Sequence, residues 1–301
     1  MVEIIDVSKN FGTVKALGGV TLTVGEKSVF GLVGSNGSGK STLLRIMMDI
    51  YKADSGRVLY DGEDIAKKAK LKEKVFHIAE DQYFFPGSSV EEMSRFFRCF
   101  YKNYEKEAFV KYCELFEIDR KSKLSELSKG IRKQIMIFNA LASHPKVILC
   151  DETFDGLDPV VRRAVKSLFL ERVEQEGMSM LIASHNLSEI EGMCDNLGLL
   201  HKGKTELVGD IDCIKGNSCA AIVAYPEDEA EAQLAKLSAV TSHLEHGAGR
   251  IVLRGSVEEV KARIAATDPD YFKILPMTLE EIFISEMEVR GYERTLFCAE
   301  G

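Results

Sequence analysis

The chain has 301 residues, 45% of them hydrophobic, and a formal net charge of −8. That length suits one large domain plus a small one with a sizeable core, and no apolar run approaches the ~20 residues of a membrane span. From Cys219 onward 8 Lys and Arg face 15 Asp and Glu, a balance of −7, so the acidity sits at one end and argues against nucleic acid as a partner.

The first elements are short and rich in β-branched residues. Residues 4–7 and 20–24 predict strands, with Lys9-Asn10-Phe11-Gly12 between them. Phe11 reads either as core or as an aromatic platform for a base. Residues 29–33 are an apolar strand that runs into Gly34-Ser35-Asn36-Gly37-Ser38-Gly39-Lys40-Ser41-Thr42, and residues 43–48 continue as an amphipathic helix. Strand, glycine-rich turn and helix are the context in which the pattern G-x-x-x-x-G-K-[ST] carries meaning. Glycines let backbone N–H groups turn inward around phosphate oxygens, and the new helix aims its positive end at the same place. Lys40 adds a charge that can reach β- and γ-phosphates, and the Ser41 hydroxyl suits Mg²⁺.

Turn residues at 54–56 and 61–62 bracket a strand over 57–60, and a lysine-rich stretch from 67 to 74 reads as a solvated face. Residues 75–79 predict a strand that ends at Glu80, followed by the aromatic run Tyr83-Phe84-Phe85-Pro86, of which at least one ring should face a partner. Residues 90–119 read as one helical run whose eight aromatics, from Phe96 to Phe116, predict mostly helix–helix core. The next helix opens at Leu127-Ser128-Lys129-Gly130, where Ser128 can cap it and Gly130 permits a close approach.

Residues 147–150 are a buried type of strand that ends in Asp151-Glu152, two carboxylates placed where α/β sheets bind ligands. Asp151 is suited to Mg²⁺ and Glu152 to activating a water against the γ-phosphate. Asp158-Pro159 cap a helix that stops at Gly177, and a core strand over 180–183 delivers Ser184-His185 to its C-terminal end. A hairpin around residues 201–204 and a short helix within 210–217 lead to a segment that reads β-α-β-β-α-(β)-α, with capping-box patterns at Ser256 and Thr278. His243 and His246 have a spacing that could hold a metal, but with no cysteine nearby they read as surface residues. The seven scattered cysteines lack a C-x-x-C pair and predict free thiols in a reducing compartment.

No Asn-Lys-x-Asp guanine reader is present, which argues against a GTPase. Phe11, residues 34–41, Glu80, Leu127-Ser128-Lys129-Gly130, Asp151-Glu152, Asp158 and His185, in that order, resemble the ABC (ATP-binding cassette) ATPase family over roughly residues 1–215. The resemblance implies an α/β P-loop NTPase core over 1–215. That core would carry an antiparallel β subdomain and a helical subdomain near 88–135, followed by a small α+β accessory domain over 216–301. It implies ATP and Mg²⁺ as ligands, with Phe11 on the adenine and Ser41, Asp151 and Glu80 around the ion. Lys40, Glu80, Glu152 and His185 would serve catalysis, Ser128 and Gly130 the γ-phosphate held by a second ABC subunit, and Asp158 the communication between subunits.

The chain departs from the family pattern at three positions. Glu80 stands where Gln is usual, Lys129 replaces a signature glycine, and Thr153 replaces the Pro that commonly follows the catalytic Glu. With the run from Tyr83 to Pro86, the sequence Leu279-Glu280-Glu281-Ile282-Phe283 looks like the ATP-binding subunits of bacterial type-2 exporters, the Ytr-like group. In that reading the chain works on the cytoplasmic face of the cell membrane, without a secretory signal, and the aromatic run and helical insertion receive a coupling helix from a separate polytopic permease. The rival readings are a soluble ABC ATPase acting as a switch on ribosomes or DNA, and a regulatory ABC protein.

Overall fold

The computed structural model describes residues 1–289, and the chain divides into two compact units, Met1–Val208 and a second beginning at Gly209. In the first unit the chain starts with β1 (Val2–Phe11) and β2 (Val14–Val24), crosses to β3 (Val29–Val33), and enters α1 (Lys40–Met47). It returns through β4 (Ser55–Tyr60) and β5 (Glu63–Asp64) before reaching β6 (Val75–Ile78). Strands β2-β1-β4-β5 form an antiparallel sheet, and alternate residues Val2, Ile4, Val20, Leu22 and Val58 turn their side chains into the core beneath it.

An all-helical insertion follows, with α2 (Val90–Phe100), α3 (Lys106–Leu115) and α4 (Lys129–Ala142). Ser89 and Glu92 close a capping box at the start of α2. The single helical run expected over 90–119 is broken between residues 101 and 105. Tyr101 takes extended φ and ψ (−106°, 106°) with its hydroxyl donating to Val75 O, and Glu105 N donates to Ala142 O. These contacts with β6 and α4 override the helical periodicity.

The expected aromatic helix–helix core is also reduced: of the eight rings only Phe109 and Tyr112 are buried, whereas Phe100 is exposed. Phe96 instead packs edge-on to Phe85 (4.8 Å between centroids) and against Phe100 (4.7 Å), in a cluster that faces outward.

The chain then alternates β7 (Val147–Asp151), α5 (Pro159–Glu176), β8 (Ser179–Ser184), α6 (Leu187–Glu191), β9 (Asn196–His201) and β10 (Lys204–Asp210). The second sheet has the order β10-β9-β3-β8-β7-β6, and its pairs among β9, β3, β8, β7 and β6 are parallel. Every residue of β3, β7 and β8 is buried, as expected of strands covered on both faces. Register decides what these strands present. Val33 lies beside Ser184, and Asp151 beside Ala183, so β3, β7 and β8 end together.

The second unit opens with α7 (Ile211–Gly216) and continues as β11 (Ser218–Ala224), α8 (Ala230–Leu237), β12 (Thr241–Glu245), β13 (Ala248–Arg254), α9 (Val257–Ala265), β14 (Tyr271–Leu275) and α10 (Leu279–Val289). The order β12-β13-β11-β14 with antiparallel pairing is the ferredoxin-like split βαβ arrangement. Residues of β11 alternate between two cores. Cys219, Ala221 and Val223 pack with Val260 and Ile264, while Ala220 packs with Met277 and Ile282. Ser256 and Thr278 each close the capping box that the sequence suggests. The six described cysteines are free thiols, and Cys298 lies outside the described residues.

Candidate nucleotide site

The turn between β3 and α1 can only be made by glycine at its last position. Gly39 has φ +110°, and a Cβ there would lie 2.7 Å from Ala16 O and 2.8 Å from Leu17 Cδ2. The turn places the residues 34–42 as the sequence suggests, with Ser35, Asn36 and Gly37 exposed and Ser41 and Thr42 half-buried in the first turn of α1. Lys40 is buried and folds back, donating from Nζ to Gly34 O at 2.7 Å and Ser35 O at 3.3 Å. Ser38 Oγ is buried without a hydrogen-bond partner. A loop whose ammonium caps its own carbonyls and whose buried hydroxyl is unpaired is suited to receiving an anion.

Two carboxylates meet this loop from β7. Asp151 is 1% exposed and accepts from Ser41 Oγ at 3.1 Å. Burial pushes its carboxyl above the usual carboxylate range; Ser41 opposes the shift, and the nearby Glu152 and Glu80 charges add to it. Glu152 lies in the left-handed region at φ +44° and points its side chain between two partners. Its Oε1 is 3.5 Å from Lys40 Nζ, and its Oε2 is 3.0 Å from His185 Nδ1. His185, at the end of β8, is half exposed and also lies 3.9 Å from Asp155 Oδ2. The structure therefore brings together Lys40, Ser41, Asp151, Glu152 and His185.

The remaining residues stand around this centre. Glu80 follows β6 and is exposed, close enough to act electrostatically on both Asp151 and Lys133. It lines a cavity of about 220 Å³ together with Phe84, Lys129, Arg132 and Lys133. Phe11 ends β1 with 43% of its surface exposed, edge-on to Tyr51 at 5.4 Å, with Lys9 Nζ 5.5 Å from its ring centre. This position settles the sequence alternatives against core.

Ser128 caps α4 by accepting from Ile131 N, and Asp158 caps α5 by accepting from Val160 N and Val161 N. Both are exposed. A Cβ on Gly130 would come within 3.1 Å of Gly156 O, so the first turn of α4 and the chain before α5 are in close approach.

Sequence reasoning missed Lys133. It lies one turn inside α4, is 2% exposed, and donates to Glu152 O at 2.7 Å and Asp155 O at 2.8 Å. Its immediate neighbours are Arg132 and Gln134, so the available signal was only the apolar run Ile135-Met136-Ile137-Phe138 that follows it along α4.

A chain with this geometry can hold a phosphate group against a buried carboxylate pair, with a divalent cation at Ser41 and Asp151. The cation fits because Asp151 is buried, short of positive partners and already aligned on a hydroxyl. Comparison with known proteins gives the same direction. Residues 17–155 match the family model described as ABC transporter. The ABC transporter ATP-binding protein YtrB of Bacillus subtilis is 32% identical over 95% of this chain and 98% of its own length. The methionine import ATP-binding protein MetN of Rhizobium johnstonii is 28% identical over 74% of this chain and 64% of its own. A solved ATP-binding subunit of an ABC transporter superimposes with a TM-score of 0.65 at 22% identity, over 88% of this chain and 99% of that one, which is a likeness of fold. The chain belongs to the ATP-binding proteins of ABC transporters, and it is an ATPase.

Proposed function

We propose that this chain powers export through a separate polytopic membrane permease, binding ATP between two copies and hydrolysing it to let them part. The carrying observation is the convergence of Lys40, Ser41, Asp151, Glu152 and His185 at the aligned ends of β3, β7 and β8. Residues 34–42 would cradle the phosphates, Phe11 would stack on the adenine, and Ser41, Asp151 and Glu80 would hold Mg²⁺. When bound, Mg²⁺ neutralises charge on the β- and γ-phosphate oxygens. Glu152 would take the proton of the attacking water, with His185 orienting it through the 3.0 Å contact.

Ser128 of the partner subunit would contact the γ-phosphate, with Gly130 allowing the approach, and Asp158 would carry the communication between copies. In this reading the first unit is the cassette, to which the sequence assigns residues 1–215, and the second, to which it assigns 216–301, is an accessory domain; by compactness the boundary falls earlier, between Val208 and Gly209. The site of action is the cytoplasmic face of the membrane, which accords with the lack, among the described residues, of any helix long and apolar enough to span it. Export is favoured by the resemblance to type-2 exporters at Tyr83–Pro86 and Leu279–Phe283.

Glu152→Gln tests the scheme directly. It preserves size and hydrogen bonding but removes the base, so turnover should fall on the order of 10²- to 10³-fold. ATP should then shift the protein from monomer to dimer in light scattering. Unchanged turnover would sink the base assignment, and a monomer in saturating ATP would sink the two-copy site.

A further inference from the structure

We infer that Lys133 is a positioning residue for Glu152, holding the catalytic backbone in place from the helical insertion. The inference rests on Glu152 being the base. Glu152 keeps a left-handed backbone, which is strained for a non-glycine residue and persists only where its surroundings enforce it. Both ends of its peptide are held. Its N–H donates to Ala183 O at 2.9 Å, and its carbonyl accepts from Lys133 Nζ at 2.7 Å. The same ammonium takes Asp155 O at 2.8 Å, which fixes the bend three residues later. With the main chain clamped from β8 and α4, the carboxylate is left pointing between Lys40 and His185.

An ammonium 2% exposed is expensive to bury, and an apolar side chain would fill the same volume at lower cost. What the lysine supplies is a pair of charge-assisted hydrogen bonds, one to the Glu152 carbonyl in a buried setting and one to the part-buried Asp155 carbonyl. Because Lys133 is one turn from Lys129, where α4 begins, the strut ties that helix to residues 152–155 as one piece. The 3.1 Å approach between Gly130 and Gly156 O reinforces the tie.

The test compares full-length Lys133→Met, Lys133→Arg and Glu152→Gln proteins. Lys133→Met should lower kcat on the order of 10²-fold, the size expected for a base displaced by about 1 Å, with nucleotide affinity within twofold of the parent. Lys133→Arg, which can still donate to both carbonyls, should restore most of the rate. The double variant Glu152→Gln/Lys133→Met should be no slower than Glu152→Gln, because a strut for an absent base has nothing left to position. Parental kcat in Lys133→Met, or a further tenfold loss in the double variant, would overturn the inference. Should Lys133→Met not fold, Lys133→Gln, which keeps one donor group, carries the same comparison. A Glu152→Gln protein with full turnover would instead overturn the base assignment on which this rests, so the two failures are told apart.

Discussion

At the scale of single residues, the site keeps its charges where the fold alone would not. Asp151 is held by burial above the usual carboxylate range, with Glu152 and Glu80 close by. A carboxyl shifted this way keeps its proton in the native state after the unfolded chain has released it. Native stability therefore falls as pH rises from the ordinary carboxylate range through the raised value. Asp151→Asn retains an acceptor for Ser41 Oγ and removes the buried charge, so the nucleotide-free protein should melt higher than the parent at neutral pH. The gain should shrink as pH falls toward about 4, where the native aspartate is protonated too. Turnover should be lost at every pH. Melting curves without nucleotide between pH 4 and 8 decide this, and a lower melting temperature at pH 8 would show that Asp151 stabilises the resting fold. Such opposition between stability and activity is usual where charge is gathered for a ligand.

At the scale of elements, legibility in the sequence followed the kind of signal. Strands β3, β7 and β8 were readable because both of their faces are covered, which forces continuous apolar runs ending in a polar residue or turn. Residues 34–42, Asp151 and Glu152 were readable because their spacing to strand ends is fixed by chemistry, whereas the role of His185 came only from the resemblance to ABC ATPases. The break at residues 101–105 was not, since it is made by Tyr101 on Val75 O and Glu105 on Ala142 O, contacts distant in sequence. Lys133 was hidden because a helical lysine ordinarily marks a solvated face. Strand β6 holds a further case in His77, beside Leu149 of β7, whose Nε2 is buried without a partner. Burial, aided by Arg45, lowers its pKa from 6.5 to about 4. The unfolded chain thus takes up a proton that the native state refuses. Stability is full above pH 6.5 and drains away as pH falls through that window, by about 3 kcal/mol in all. His77→Leu should flatten the acid limb of a urea-denaturation profile between pH 6.5 and 4 by roughly that amount. An unaltered acid limb would mean that His77 does not control it.

At the scale of the whole molecule, an acidic ferredoxin-like unit and a near-neutral P-loop unit share one chain, and the outward aromatic cluster belongs to the latter. Tyr83 is 72% exposed, Phe85 43% and Phe100 56%, and Phe96 joins Phe85 to Phe100 by ring contacts. Exposure is legible in the run before Pro86, whereas the helical periodicity assigns Phe96 and Phe100 to a helix interior. Periodicity says which residues share a helix face, whereas what covers that face is decided by chain that can be far away or in another protein. Single exposed aromatics are ordinary; four in mutual contact make a patch suited to an apolar or amphipathic helix from a membrane subunit. Phe100→Ser removes a ring that contributes little to the fold, so stability should stay within about 0.5 kcal/mol and ATP turnover by the purified chain within twofold. If the patch seats the permease, the same substitution should lower the fraction of this chain that co-sediments with membranes carrying that permease, and Phe96→Ser should deepen the loss. Undiminished co-sedimentation of the Phe96→Ser/Phe100→Ser protein would place the permease contact elsewhere, while a collapse of turnover would show that the rings support the cassette and not a partner.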